Sequence, residues 1–187
     1  MNIKSLIILL GVFSWGAIHG CATSPPPGNR PLIPLQQANL EAVIEENEGL
    51  DVNWENAKEV RDFYRGGVQH KAKAEKKYQE KDYPGAMQLY LSSNEFFSKL
   101  REYLDEDAAD YNLFEGTSIL FFPNLLLADN NLKMGRICDA QGRKRPAYRH
   151  WNRALSWVKR SLKSERTEWG LALQDELSQL LTPKKDG

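Results

Sequence analysis

The chain predicts an all-α fold, and three observations carry that expectation. Apolar residues recur at spacings of three and four along most of its length, which gathers them on one face of a helix. No run alternates apolar and polar residues convincingly enough for a half-buried strand. Two segments 61 residues apart repeat one pattern of small and aromatic positions: Ala74, Ala86, Tyr90 and Ser93, then Gly135, Ala147, Trp151 and Ala154. The expected domain covers residues 36–182, as an antiparallel helix-pair array or a bundle of about six helices.

The first element lies outside that domain. Lys4 opens the chain with a positive charge, and Leu6 to Ile18 form an apolar run broken by Gly11, Ser14 and Gly16. Gly20 and Cys21 follow. The run is too short to cross a bilayer comfortably and has the layout of a secretory signal. A cysteine directly after a small residue resembles the bacterial lipoprotein signal. That resemblance implies cleavage between Gly20 and Cys21 and acylation of Cys21. Ala22, rather than Asp, then implies the outer membrane. Two other readings stay open: an ordinary signal cut after Ala22, and a retained N-terminal anchor with inner-membrane placement.

Removing residues 1–20 leaves 167 residues, enough for one domain with its own core. The whole chain balances 25 basic against 25 acidic residues, and loss of Lys4 leaves the mature form near −1. A near-neutral, exported chain is not a general nucleic-acid binder. Cys21 and Cys138 are the two cysteines; acylation of Cys21 leaves Cys138 without an intramolecular partner. Residues 21–35 hold the lipidated cysteine and five prolines, a tether of polyproline character.

Helices are expected in order. Leu40, Val43 and Ile44 mark a short one over 36–48. Asn53 caps a longer one carrying Trp54, Ala57, Val60, Tyr64 and Val68, with Gly66 and Gly67 as a break or kink. A strong face follows Pro84 through Leu104, and residues 105–118 form an acidic, irregular connection. Pro123 starts the next helix, Pro146 sits in the first turn of another, and Ser164 caps a last one through Leu180. Residues 183–187 are expected as a disordered tail.

The stretch `AEKKYQEKDYPGAMQLYLSS` resembles a tetratricopeptide repeat, with a small residue in its first helix, a `DY` turn, and Ala and an aromatic in its second. The stretch `GRICDAQGRKRPAYRHWNRAL` is similar, with Lys144 in place of the turn tyrosine. The resemblance implies binding of peptides or partner helices in a groove lined by the first helices.

Catalytic patterns are absent: no `HExxH`, `GxSxG`, Walker loop or `CxxC` occurs. Asp105, Glu106, Asp107 and Asp110 do not fit a calcium loop, because Gly116 stands where the bidentate acid belongs. No cofactor, metal or enzymatic role is therefore expected. Charge is segregated instead. Residues 133–166 carry eleven Lys or Arg and two acids, while 41–62 carry eight acids and two bases. The contact residues expected for a partner are Arg145, Arg149, Trp151 and Arg153. The function read from these features is a membrane-anchored periplasmic adaptor joining proteins in an envelope assembly. The alternatives are a ligand-binding accessory of a transport system, with Phe96, Phe97, Phe121 and Phe122 lining a pocket, or a structural spacer.

Overall fold

The computed structural model describes residues 32–37, 57–107 and 120–182. The chain is all-helical there, with five helices: α1 (Ala57–Gln79), α2 (Tyr83–Asp107), α3 (Phe121–Ala140), α4 (Lys144–Ser164) and α5 (Glu168–Leu181). Helices α1 and α2 pack as one hairpin, α3 and α4 as a second, and α5 closes the array against α4 and α3. The expected helix over 36–48, beyond its first two residues, lies outside the described residues, as do the Asn53 cap, the signal and the tail.

The two hairpins turn in the same way, and the repeat explains it. Lys81 and Gly142, 61 residues apart, both take positive φ, at 60° and 71°. Around each, four backbone hydrogen bonds recur in register. Glu80, Lys81, Asp82 and Ala86 donate to Lys76, Tyr78, Lys77 and Asp82; Gln141, Gly142, Arg143 and Ala147 donate to Ile137, Asp139, Cys138 and Arg143. The bonds from Asp82 to Lys77 and from Lys81 to Tyr78 are those of a Schellman cap, which satisfies carbonyls that a helix end leaves free. Three residues thus reverse each helix pair.

Gly66 and Gly67 do not break α1, which runs through them. A Cβ on Gly66 would lie 2.5 Å from the Phe96 ring, and one on Gly67 would overlap the Phe97 ring. The glycine pair lets α1 and α2 approach until two aromatic rings fill the space of missing side chains. Gly135 does the same for Trp151 between α3 and α4.

Helix α3 is the centre of the domain. It is buried from Phe121 to Leu132 without interruption, although Asn124, Asp129, Asn130 and Asn131 lie in that run. Its neighbours explain the burial. Trp151 and Ser161 of α4 meet one side, the latter donating to the Phe121 carbonyl at 2.8 Å. Leu125 approaches Gly170 of α5, and Asp129 reaches Lys71 of α1. Asn130 donates to Ser93 and Asn94 of α2, at 2.8 and 3.1 Å. The helix begins at Phe121, two residues before Pro123, which is tolerated because first-turn N–H groups have no intrahelical acceptor.

Thr167, not Ser164, caps the last helix: its hydroxyl accepts from the Gly170 N–H at 3.0 Å. Ser164 is the final residue of α4. An extended backbone at Thr167 also pairs with the end of the proline-rich segment. Ile33 donates to the Arg166 carbonyl, Glu168 and Trp169 donate back to Ile33 and Leu35, and an isolated parallel bridge joins Ile33 to Thr167. Leu35 is buried in the main core, so the end of the expected tether belongs to the domain.

Candidate functional site: the outer face of α4

Helix α4 divides cleanly into two faces. Ala147, Trp151, Ala154, Val158 and Ser161 are buried, at the spacing of one helical stripe. The opposite stripe carries Arg145, Arg149, Asn152, Arg153, Ser156, Lys159 and Lys163, all exposed. The helix contains no acidic residue. At 1.5 Å per residue, the cations from Arg145 to Lys163 line up over about 27 Å.

Some cations nearby are matched by carboxylates. Arg136 pairs with Glu176 of α5 at 2.5 Å, and Lys144 pairs with Asp139 across the turn at 2.6 Å. Lys77 of α1 pairs with Glu80 and Asp82. Arg160 lies over the Trp157 ring at 4.8 Å. Among the described residues, Arg145, Arg149, Arg153, Lys159 and Lys163 make no ion pair.

Three surface depressions border this helix. One of about 420 Å³ is lined by Asn152, Leu155, Ser156, Lys159, Arg160 and Lys163. A smaller one of about 190 Å³ is lined by Pro146, Arg149, His150 and Arg153. A third, of about 560 Å³, lies where the start of α2 meets the α3–α4 turn, with Met87, Leu91 and Arg143 on its walls. His150 sits on the shoulder of α4, three residues from Ala147 and four from Ala154. Its imidazole is held below its usual pKa, first by burial and then by Arg153, Arg149 and Arg143.

Of the contact residues expected from sequence, Arg145, Arg149 and Arg153 share the exposed stripe. Trp151 faces the other way, buried against Gly135 with its ring edge-on to Tyr148 at 5.6 Å. The aromatic on the surface is Tyr148. Phe97, Phe121 and Phe122 are core residues, and Phe96 stacks on His70 at 5.2 Å. These rings fill space between helices and line none of the depressions above. Cys138 is buried, with Arg143 Nη2 3.6 Å from its sulfur.

A second polar cluster escaped the sequence reading. Lys71 of α1 is 3% exposed and pairs with Asp129 of α3 and Glu75, each at 3.2 Å. Tyr90 is fully buried beside it, and burial, then Glu75, Asp129 and Tyr78, push its phenol well above its usual pKa. Ser93 donates to the Gly67 carbonyl at 2.8 Å, tying α2 to α1 beside the same cluster. The signal was available: Lys71 stands seven residues from both Tyr64 and Tyr78, on one side of α1.

Among the described residues, no group of three or more His, Cys, Asp or Glu is placed to hold a metal ion. No described helix is long and apolar enough to cross a membrane. Comparison with family models, curated proteins and solved structures finds no match to this chain.

Proposed function

We propose that this chain is a non-enzymatic, lipid-anchored adaptor of the bacterial cell envelope, on the periplasmic face of the outer membrane. Cys21 carries the anchor, and the outer stripe of α4 meets an acidic surface of an envelope protein. The observation that supports this most is the row of cations on α4 that make no ion pair among the described residues, opposite a face buried in the core. Packing accounts for Ala147, Trp151 and Ala154 but asks nothing of Arg145, Arg149 and Arg153. Rows of like charge on an exposed face steer encounter and select partners more than they stabilise a fold.

The contact surface differs from the one the tetratricopeptide resemblance implies. A groove along the first helices would run over α1 and α3. Helix α3 is buried over most of its length, whereas α4, a second helix, presents the charged face. The anchor geometry suits this. Ile33 and Leu35 fix the chain to the start of α5. The domain therefore hangs from the end where α4 finishes.

Affinity capture of the native chain from membranes tests the reading, beside an Arg145→Gln/Arg149→Gln/Arg153→Gln triple variant and a Cys21→Ala variant. Palmitate labelling of native chain and loss of label in Cys21→Ala is expected, with one acidic partner lost from the triple variant. An unlabelled native chain would sink the anchor, and an unchanged partner set in the triple variant would sink the α4 contact.

A further inference from the structure

We propose that Arg149, His150 and Arg153, walled by Pro146, form a binding site for a phosphate-type oxyanion. The site occupies the small depression at the start of the cationic stripe.

Three observations carry it. Arg149 and Arg153 stand four residues apart on α4, where side chains are neighbours and like charges repel. The charged groups acting on His150 between them are Arg153, Arg149 and Arg143, with no carboxylate among them. Arg149 and Arg153 thus stand without a counter-charge among the described residues. Second, the Nδ1 atom of His150 is buried and has no hydrogen-bond partner among the described residues. A buried polar atom left unpaired costs stability. Third, the depression of about 190 Å³ is lined by these groups and Pro146. That volume holds about six waters, so a tetrahedral oxyanion fits with part of its hydration shell.

The chemistry favours phosphate over carboxylate. Each guanidinium offers a planar fork of donors matched to two oxygens of a phosphate. Arg149 and Arg153 supply two such forks one helical turn apart on the wall of the depression. A dianion with oxygens on four vertices satisfies them together; a carboxylate, flat and singly charged, satisfies one. His150 lines the same depression. The oxyanion can be a lipid headgroup or a soluble phosphomonoester.

The site shares a helix with the adaptor surface proposed above, and the two fail separately. The full chain in detergent micelles is titrated with inorganic phosphate at constant ionic strength, following arginine side-chain N–H signals by NMR. Saturable shifts at Arg149 and Arg153 are expected, with acetate at least tenfold weaker. Arg149→Gln/Arg153→Gln should weaken phosphate at least tenfold, His150→Gln about threefold, and Lys159→Gln/Lys163→Gln less than twofold. Equal weakening by both double variants would mean a diffuse field and no site, and acetate binding as tightly as phosphate would also overturn it. Thermal melts check that each variant folds. Displacement of phosphate by phosphatidic-acid vesicles assigns a lipid headgroup; displacement by glycerol phosphate alone assigns a soluble ligand. Either supports the site. Phosphate binding by a native chain whose partner set is unchanged in the triple variant would leave the site standing and the adaptor contact refuted.

Discussion

The two helix hairpins share a turn and differ almost everywhere else. Both reverse over three residues with the same four backbone hydrogen bonds. Both bury a small residue and an aromatic at equivalent places: Ala74 with Tyr90, Gly135 with Trp151. The larger ring goes with the smaller partner, so the space between helices is conserved while its division changes. Away from that axis they diverge. Lys71, which holds a buried ion pair in the first hairpin, corresponds to Leu132 in the second. The second hairpin instead carries the cationic stripe on its outer face. Backbone geometry and packing volume set the hairpin; the polar groups are free to specialise.

The ion pair gives the largest expected effect. Asp129→Ala takes a buried carboxylate away from the buried Lys71 ammonium, and should cost about 3 kcal/mol in denaturant unfolding. A loss no greater than that of an exposed acid would show that the first hairpin does not depend on the pair. Next comes the division of volume. Gly135→Ala pushes a methyl into the Trp151 ring and should cost about 1–3 kcal/mol. Adding Trp151→Tyr recreates the Ala–Tyr combination of the first hairpin and should recover part of that loss. A double variant no more stable than Gly135→Ala would break the equivalence.

The turns come third. Gly142→Lys should destabilise by about 1 kcal/mol, and Lys81→Gly should stabilise by a few tenths to about 1 kcal/mol, both read by thermal melts. Opposite signs at equivalent positions are the test. His150 gives a smaller, pH-dependent effect. Its folded pKa lies below the ordinary 6.5, so the unfolded chain takes up the proton first as pH falls. The associated stability is present above pH 6.5 and is lost as pH falls through the folded value. His150→Gln should flatten that part of the stability–pH curve. The smallest effect belongs to the stripe: Arg149→Gln and Lys159→Gln should each change stability by less than about 0.5 kcal/mol.

The repeat was legible in the sequence because it is made of positions. Small residues and aromatics 61 apart foretold which residues would be buried and where the chain would turn. What periodicity could not supply was side-chain direction and competition between neighbours. Gly66 and Gly67 look like helix breakers until Phe96 and Phe97 arrive from another helix to use the space. Ser164 and Thr167 are both competent caps. Thr167 takes the role because Ile33 and Leu35 hold its backbone extended, a contact more than 130 residues away in the chain. Trp151 was grouped with the arginines around it because sequence proximity hides that α4 points it inward, toward Gly135. Arg145, Arg149 and Arg153 were legible, since four-residue spacing keeps them on one face.

The central claim is that the outer face of α4 is a contact surface, and site-specific photocrosslinking in intact membranes tests it most directly. A photoreactive residue is placed at Asn152 or Ser156 on the stripe, and at Gln88 or Leu91 on the outer side of α2 as controls. The account predicts one dominant cross-linked protein from Asn152 and Ser156, lost when Arg149 and Arg153 are changed to Gln, and none from the controls. Equal cross-linking from both helices, or from neither, would contradict it.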